Sequence, residues 1–187
     1  MILHDIPDNW QHDDVNAGLA LVKRFDLAVD CGAHRGVITR LLAQRFKQVI
    51  AIEPSNLADQ IQVENARVIR AAVGREPGRV GMADGKHNTG QRHVVDGDNI
   101  EMITLDSLNL APDFVKIDVE GMEWHTLMGG EQTIRKHRPV VMFEENGLNR
   151  RYGISDGQVG ALLASWGARR VLVTRQSSRD EDWFYTF

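Results

Sequence analysis

Apolar residues recur along this chain in two periods that alternate. The run Leu27-Ala28-Val29 reads as the end of a buried strand, and beyond the next turn Val37, Ile38, Leu41, Leu42 and Phe46 fall at helical spacing. Taken through the sequence, the same pattern predicts a leading helix over 13–25, with Val15, Leu19, Leu21 and Val22 on its apolar face, then a strand over 27–31 and a helix over 36–46. A strand over 49–52 follows, then a helix over 55–65 opened by Ser55 as N-cap, and a strand over 67–73. Residues 74–99 are glycine-rich and polar, with short strands over 79–83 and 99–105. A strong strand covers 114–119, a helix interrupted at Gly129-Gly130 covers 121–137, a strand covers 139–143 and a helix covers 156–166. Strands over 170–174 and 182–187 close the chain.

Strands alternating with helices imply a parallel sheet with helices on both faces. The last two strands are joined by residues 175–181, and a parallel crossover takes about a dozen residues or more, so the final strand runs antiparallel. The expected fold is therefore α/β: a doubly wound, mostly parallel, Rossmann-like sheet closed by an antiparallel C-terminal hairpin. Residues 1–187 read as a single domain, with 1–25 as a leading helical segment.

The turn after the first strand, Asp30-Cys31-Gly32-Ala33-His34-Arg35-Gly36, carries the first chemistry. Glycines on a strand-to-helix turn let backbone approach a ligand. About 20 residues on, Glu53 ends the next strand, where an acid accepts from ribose hydroxyls. A dinucleotide fingerprint would place a glycine where this chain has Asp30, and an acid there disfavours a pyrophosphate. It suits a ligand with a cationic group, such as the ammonium of S-adenosylmethionine (SAM). The cofactor site is assigned to Asp30, Gly32, Ala33, His34, Gly36, Glu53 and Pro54, with Ala72 and Val73 flanking the adenine and Asp118 facing the sulfonium. Three readings follow: a SAM-dependent methyltransferase, a non-catalytic nucleoside-binding module, and an NAD-dependent oxidoreductase, the last disfavoured by Asp30 and the closing hairpin.

The second informative block is Val115-Lys116-Ile117-Asp118-Val119-Glu120-Gly121-Met122-Glu123. Its apolar positions mark a central strand, and its ionisable ones must pair or emerge at the carboxyl edge. We expect Lys116 to be ion-paired within the strand, and Asp118 and Glu120 to emerge beside Glu144 at the end of a neighbouring strand. Asp118 is the first choice of general base, followed by Glu120, Glu144 and His125.

These blocks, with Ile52-Glu53-Pro54, Thr104-Leu105-Asp106-Ser107-Leu108, Leu127-Met128-Gly129-Gly130 and Arg138-Pro139-Val140-Val141-Met142-Phe143-Glu144, resemble the FkbM family of SAM-dependent methyltransferases over about residues 26–145. His34 stands where that family usually shows Asn. The resemblance implies O-methylation of a hydroxyl on a sugar, polyketide or other small molecule. Acceptor contacts are expected from residues 85–92 and 146–152, since loops at this edge carry specificity.

Charge and composition narrow the partners. A net charge of −4 gives no field for nucleic acid or an anionic membrane. His4, His12, His87, His93 and His137 lack metal-ligand spacing. Asp118, Glu120 and Glu144 could hold a hard cation, but nothing in the sequence requires one, and no metal is assigned. The single cysteine, Cys31, and a polar, acidic start fit a cytoplasmic protein.

Overall fold

The computed structural model describes residues 11–84, 92–171 and 182–187. Among the described residues, ten strands and five α-helices succeed one another. In chain order these are α1 (His12–Leu19), β1 (Leu27–Cys31), α2 (Val37–Ala43), β2 (Gln48–Ile52), β3 (Ala66–Ile69), β4 (Ala72–Val73), β5 (Gly78–Ala83) and β6 (His93–Ile103). They continue with β7 (Phe114–Ile117), α3 (Glu123–Met128), α4 (Glu131–His137), β8 (Val140–Glu144), α5 (Gln158–Ser165), β9 (Arg169–Val171) and β10 (Asp182–Thr186). Seven strands form one sheet in the order β3-β2-β1-β7-β8-β10-β9. β1, β2, β3, β7 and β8 are parallel, and β10 runs antiparallel to both β8 and β9. The doubly wound sheet with an antiparallel close is the expected fold.

Alternation along the strands builds two core layers. Val29, Cys31, Val115, Ile117, Val141 and Phe143 face one side, where Leu127 of α3, Ile134 of α4 and Leu163 of α5 cover them. Ala28, Val49, Phe114, Val140 and Met142 face the other, against α1 and α2. Period two in the sequence thus becomes a sheet apolar on both faces, as a covered parallel sheet requires.

Several expected elements came out differently. The helix over 55–65 is only a 3₁₀ turn, Asn56–Gln60. Ser55 does cap it, its Oγ accepting from the Leu57 amide at 3.2 Å. The chain then extends so that Ile61 joins Ala33 and Ala51 in a small apolar cluster, and this packing overrides helical spacing. The strand over 67–73 is two strands: the Ala71 amide turns back to the Ile69 carbonyl (3.2 Å) and β4 leaves for a second sheet. That sheet has the order β4-β6-β5, with β6 longer than expected and a bulge between Val80 and Gly81. The leading helix stops at Leu19, and the chain enters β1 with the Asp26 and Leu27 amides held by one Asp113 oxygen (2.9 and 3.2 Å).

The expected interruption at Gly129-Gly130 divides α3 from α4. Asp106 supplies the start of α4, accepting from the Gln132 and Thr133 amides at 3.1 and 2.8 Å. The Thr104–Leu108 motif is therefore a helix cap delivered from a distance. Among the described residues, no helix is long and apolar enough to cross a membrane.

Candidate active site

The carboxyl ends of β1, β2, β7 and β8 meet at one edge of the large sheet, where open α/β sheets hold ligands. At the β1 exit, Gly32 has φ +79°, and a Cβ there would overlap the carbonyl oxygen of Asp118. Gly36, the N-cap of α2, faces Ile61 instead. The expectation was that these glycines clear room for a ligand. In the structure the missing Cβ atoms first make room for protein, which lets the β1 and β7 exits touch. His34 also lies in the left-handed region, at φ +50°. Asn, Asp and His are the side-chain-bearing residues that enter it most readily, so the backbone requirement explains why His can stand in the place of Asn.

Asp30 is fully buried. Thr39 of α2 donates its hydroxyl to Oδ2 at 2.6 Å, and the Lys116 ammonium lies 3.4 Å from Oδ1. Direct acceptance from a ligand ammonium is not open to a carboxylate so enclosed, so of the two roles considered for Asp30 the geometry leaves ordering of the turn. Lys116 is its register partner across β1 and β7, lies 3.5 Å from Asp118 Oδ2, and donates to the Gly32 carbonyl at 3.3 Å. Burial opposes the lysine's charge, but Asp30 and Asp118 beside it hold its pKa above the ordinary value.

Glu53 closes β2 with both oxygens in use: Oε2 accepts from the His34 amide and Oε1 from the Ser55 amide, each at 2.9 Å. A carboxylate oxygen has about two acceptor positions, so each keeps one for a ligand hydroxyl. Pro54 and Ser55 lead from there into a cleft of about 440 Å³ walled by the small sheet, whose polar lining includes Asn56, Arg70, Arg92 and Glu101. Ala72 and Val73 are placed elsewhere than expected. They are buried in β4, with Thr126 donating to the Val73 carbonyl at 3.2 Å, and it is Ile69, not Val73, that ends β3.

Strand β7 ends at Ile117 rather than 119, which moves Asp118 and Glu120 onto its exit turn. Asp118 keeps a fifth of its side chain exposed (21%). Glu120 has φ +56° and Gly121 φ +105°. Burial pushes the Glu120 carboxyl up to about 8; the charges of Asp118 and Glu123 add to the rise, and Arg151 and Lys116 oppose it. Glu123, at the start of α3, carries no role in the sequence reading yet belongs to this turn. It is 2% exposed, and its Oε1 accepts from the Val119 and Gly121 amides at 3.1 Å each. Burial raises it to about 7, against the pull of those backbone bonds.

Glu144 sits at the end of β8, buried, opposite Asp182 of β10, and accepts from the side-chain Nδ2 of Asn146 at 2.6 Å. His125 is half-buried on α3 between the rings of Trp124 and Tyr152, with centroids at 5.2 and 6.0 Å. Burial and then the charge of Arg75 lower its pKa below the ordinary imidazole value. Of the segments expected to touch the acceptor, 146–152 packs over the β7 exit turn: a Cβ on Gly121 would lie 2.6 Å from the Leu148 carbonyl oxygen. Residues 85–91 of the other segment lie outside the described residues. Among the described residues, no group of three or more His, Cys, Asp or Glu is arranged to hold a metal ion.

The chemistry at this edge fits SAM. Glu53 offers an anchored carboxylate beside a backbone turn and an adjoining cleft, with acid groups at the β7 exit for a cationic ligand.

Comparison with known proteins agrees. The methyltransferase FkbM domain model matches residues 30–170. Among solved structures, the chain is similar to a methyltransferase FkbM from Methylobacillus flagellatus KT, at 19% identity and a TM-score of 0.61, covering 90% of this chain and 45% of that one. The chain thus spans under half of that protein's length. It is also similar to a SAM-dependent methyltransferase from Aquifex aeolicus (14% identity, TM-score 0.57, 97% and 94% covered). A third similar structure is a precorrin 8w decarboxylase from Methanobacterium thermoautotrophicum (15% identity, TM-score 0.57, 98% and 92% covered). At these identities the likenesses concern the fold. No curated protein matches the chain significantly.

Proposed function

The chain belongs to the FkbM family of SAM-dependent methyltransferases, and we propose that it transfers the methyl group to a hydroxyl oxygen of a small molecule or sugar. SAM, when bound, supplies a methyl group already activated by its sulfonium. What remains for the protein is to hold the two reactants in line and to take a proton from a weakly nucleophilic alcohol. Glu53 would accept from the ribose hydroxyls at its two open positions. The backbone of Gly32, Ala33 and His34 would carry the amino-acid part, on a turn that Asp30 and Lys116 keep in place.

The observation that carries the hydroxyl-acceptor reading is the β7 exit turn, where Glu120 is held near neutral titration. A general base works best when its pKa lies close to the working pH. We therefore favour Glu120 over Asp118, the first choice from the sequence, in this role. Asp118 lies 3.5 Å from the Lys116 ammonium, an ion pair that suits its carboxylate to an orienting role. Glu144 and His125 stand behind these two, as flanking groups for the acceptor.

The test has two steps. Thermal denaturation with SAM, S-adenosylhomocysteine (SAH), NAD and NADP should show stabilisation by SAM and SAH alone, about 2.7 kcal/mol at one hundred times the dissociation constant. Label transfer from methyl-tritiated SAM to panels of sugars, polyols, phenols, amines and RNA should then mark hydroxyl compounds. Stabilisation by NAD only would overturn the assignment. Label on amines or RNA alone would overturn the acceptor class, and SAM binding without transfer to any panel would favour a non-catalytic binding module.

A further inference from the structure

We propose that Glu123 is a positioning residue that fixes Glu120 in its left-handed backbone conformation by accepting, at one buried oxygen, the amide hydrogens on either side of it. Left-handed φ is sparsely populated for a residue with a Cβ and persists only where the surroundings enforce it. Here the surroundings grip the peptide from two sides. Below, Glu123 Oε1 takes the Val119 and Gly121 amides at 3.1 Å each, bracketing Glu120 at φ +56°. Above, Arg151 donates to the Glu120 carbonyl at 3.3 Å, and Gly121 has no space for a Cβ beneath Leu148 and Tyr152. A carboxylate with two amides on one oxygen and 2% exposure has no reach to substrate, so its action must pass through the turn it holds.

The second oxygen explains why this works at neutral pH. Glu123 Oε2 is buried with no hydrogen-bond partner. A proton there leaves Oε1 free to go on accepting, so the turn survives either charge state of Glu123. The charged groups facing Glu120 are Asp118 on its own turn, Glu123 of α3, Arg151 from the 3₁₀ turn after β8, and Lys116 of β7. Glu123 therefore sets both the direction of the Glu120 side chain and part of the repulsion that raises its pKa.

This inference rests on Glu120 being the proton acceptor, and its test needs no methyl acceptor. Amide exchange and a carbon-13 carboxyl titration are followed by NMR on the full chain and two variants. Glu123→Ala should speed exchange of the Val119 and Gly121 amides at least tenfold. Glu123→Gln keeps an oxygen acceptor and should restore their protection, while the Glu120 midpoint falls on the order of one pH unit for want of a like charge. Exchange in Glu123→Ala no faster than in the parent, or a Glu120 midpoint that stays put in Glu123→Gln, overturns the proposal. Should Glu123→Ala fail to fold, the midpoint in Glu123→Gln decides alone. Calorimetry with SAM on the same parent sample separates the two questions: a parent that does not bind SAM sinks the methyltransferase reading and leaves the exchange result standing.

Discussion

The turns leaving β1 and β7 touch, yet they handle charge in opposite ways. At the β1 exit the two carboxyl groups are matched inside the protein: Asp30 by Thr39 and Lys116, Glu53 by two backbone amides. At the β7 exit, Asp118, Glu120 and Glu123 crowd together with Lys116 and Arg151 as the opposing cations, and two of the carboxyls titrate near neutrality. A pre-matched turn suits a ligand that must be held the same way in every cycle. An over-acidic turn suits a step in which a proton changes hands. Under the proposed function, the contrast assigns donor binding to the first turn and proton transfer to the second.

Gly32→Ala strikes where the two turns meet. It strains a left-handed position and drives a methyl into the Asp118 carbonyl, so the chain should lose about 4 kcal/mol of stability in urea unfolding, along with SAM binding. An alanine variant as stable as the parent would mean that the turns are independent. Glu120→Gln should divide them functionally. Turnover of an identified acceptor should drop about 10²–10⁴-fold while SAM affinity by calorimetry changes less than about twofold. In the parent, turnover should climb with pH and level off above about 8, as Glu120 loses its proton. Equal losses of both would place Glu120 on the donor side.

Glu53→Ala should cost at least about tenfold in SAM affinity, since each charge-assisted bond to a hydroxyl contributes roughly 1.5–3 kcal/mol. An unchanged dissociation constant would remove Glu53 from the ribose. A further effect is on stability against pH. Glu120 and Glu123 have folded pKa values above their unfolded ones, so the folded chain binds more protons between the two. Their contribution is fully present below about pH 4.5 and is lost as pH rises through about 7 and 8. Urea midpoints at pH 5.5 and 8.5 should therefore differ less in Glu123→Gln than in the parent.

Much of this was legible in the sequence because the chain announces it twice. The switch from strand to helical spacing around Gly32–Gly36 fixed β1, its turn and α2, and the apolar alternation of Val115 and Ile117 fixed β7. Other features depend on partners distant in sequence. Ile69 through Val73 reads as one strand, and only the turn at Ala71 sends β4 to a different sheet. Residues 55–65 carry a good cap and fair helical spacing, but Ile61 is drawn beneath the β1 turn. Asp30 reads as a ligand acid until Lys116 and Thr39 enclose it. Glu123 stands in the second informative block, but its contacts are to backbone amides, which a sequence does not display. The signal available was an acid placed two residues beyond a glycine in the most distinctive block of the chain.

The contact between Gly32 and Asp118 also has a consequence for the order of events when the protein is made. Lys116 and the Gly32 carbonyl it binds are 84 residues apart in the chain. A nascent polypeptide that has emerged only through β2 already contains the glycine turn and Glu53, but it lacks the ammonium that neutralises Asp30 and the carbonyl that seats Gly32. Closure of so long a loop is slow compared with the local β1–α2–β2 steps. Donor affinity should thus arise late and all at once, when β7 docks, and a ribosome-bound chain stalled before Phe114 should leave SAM in solution.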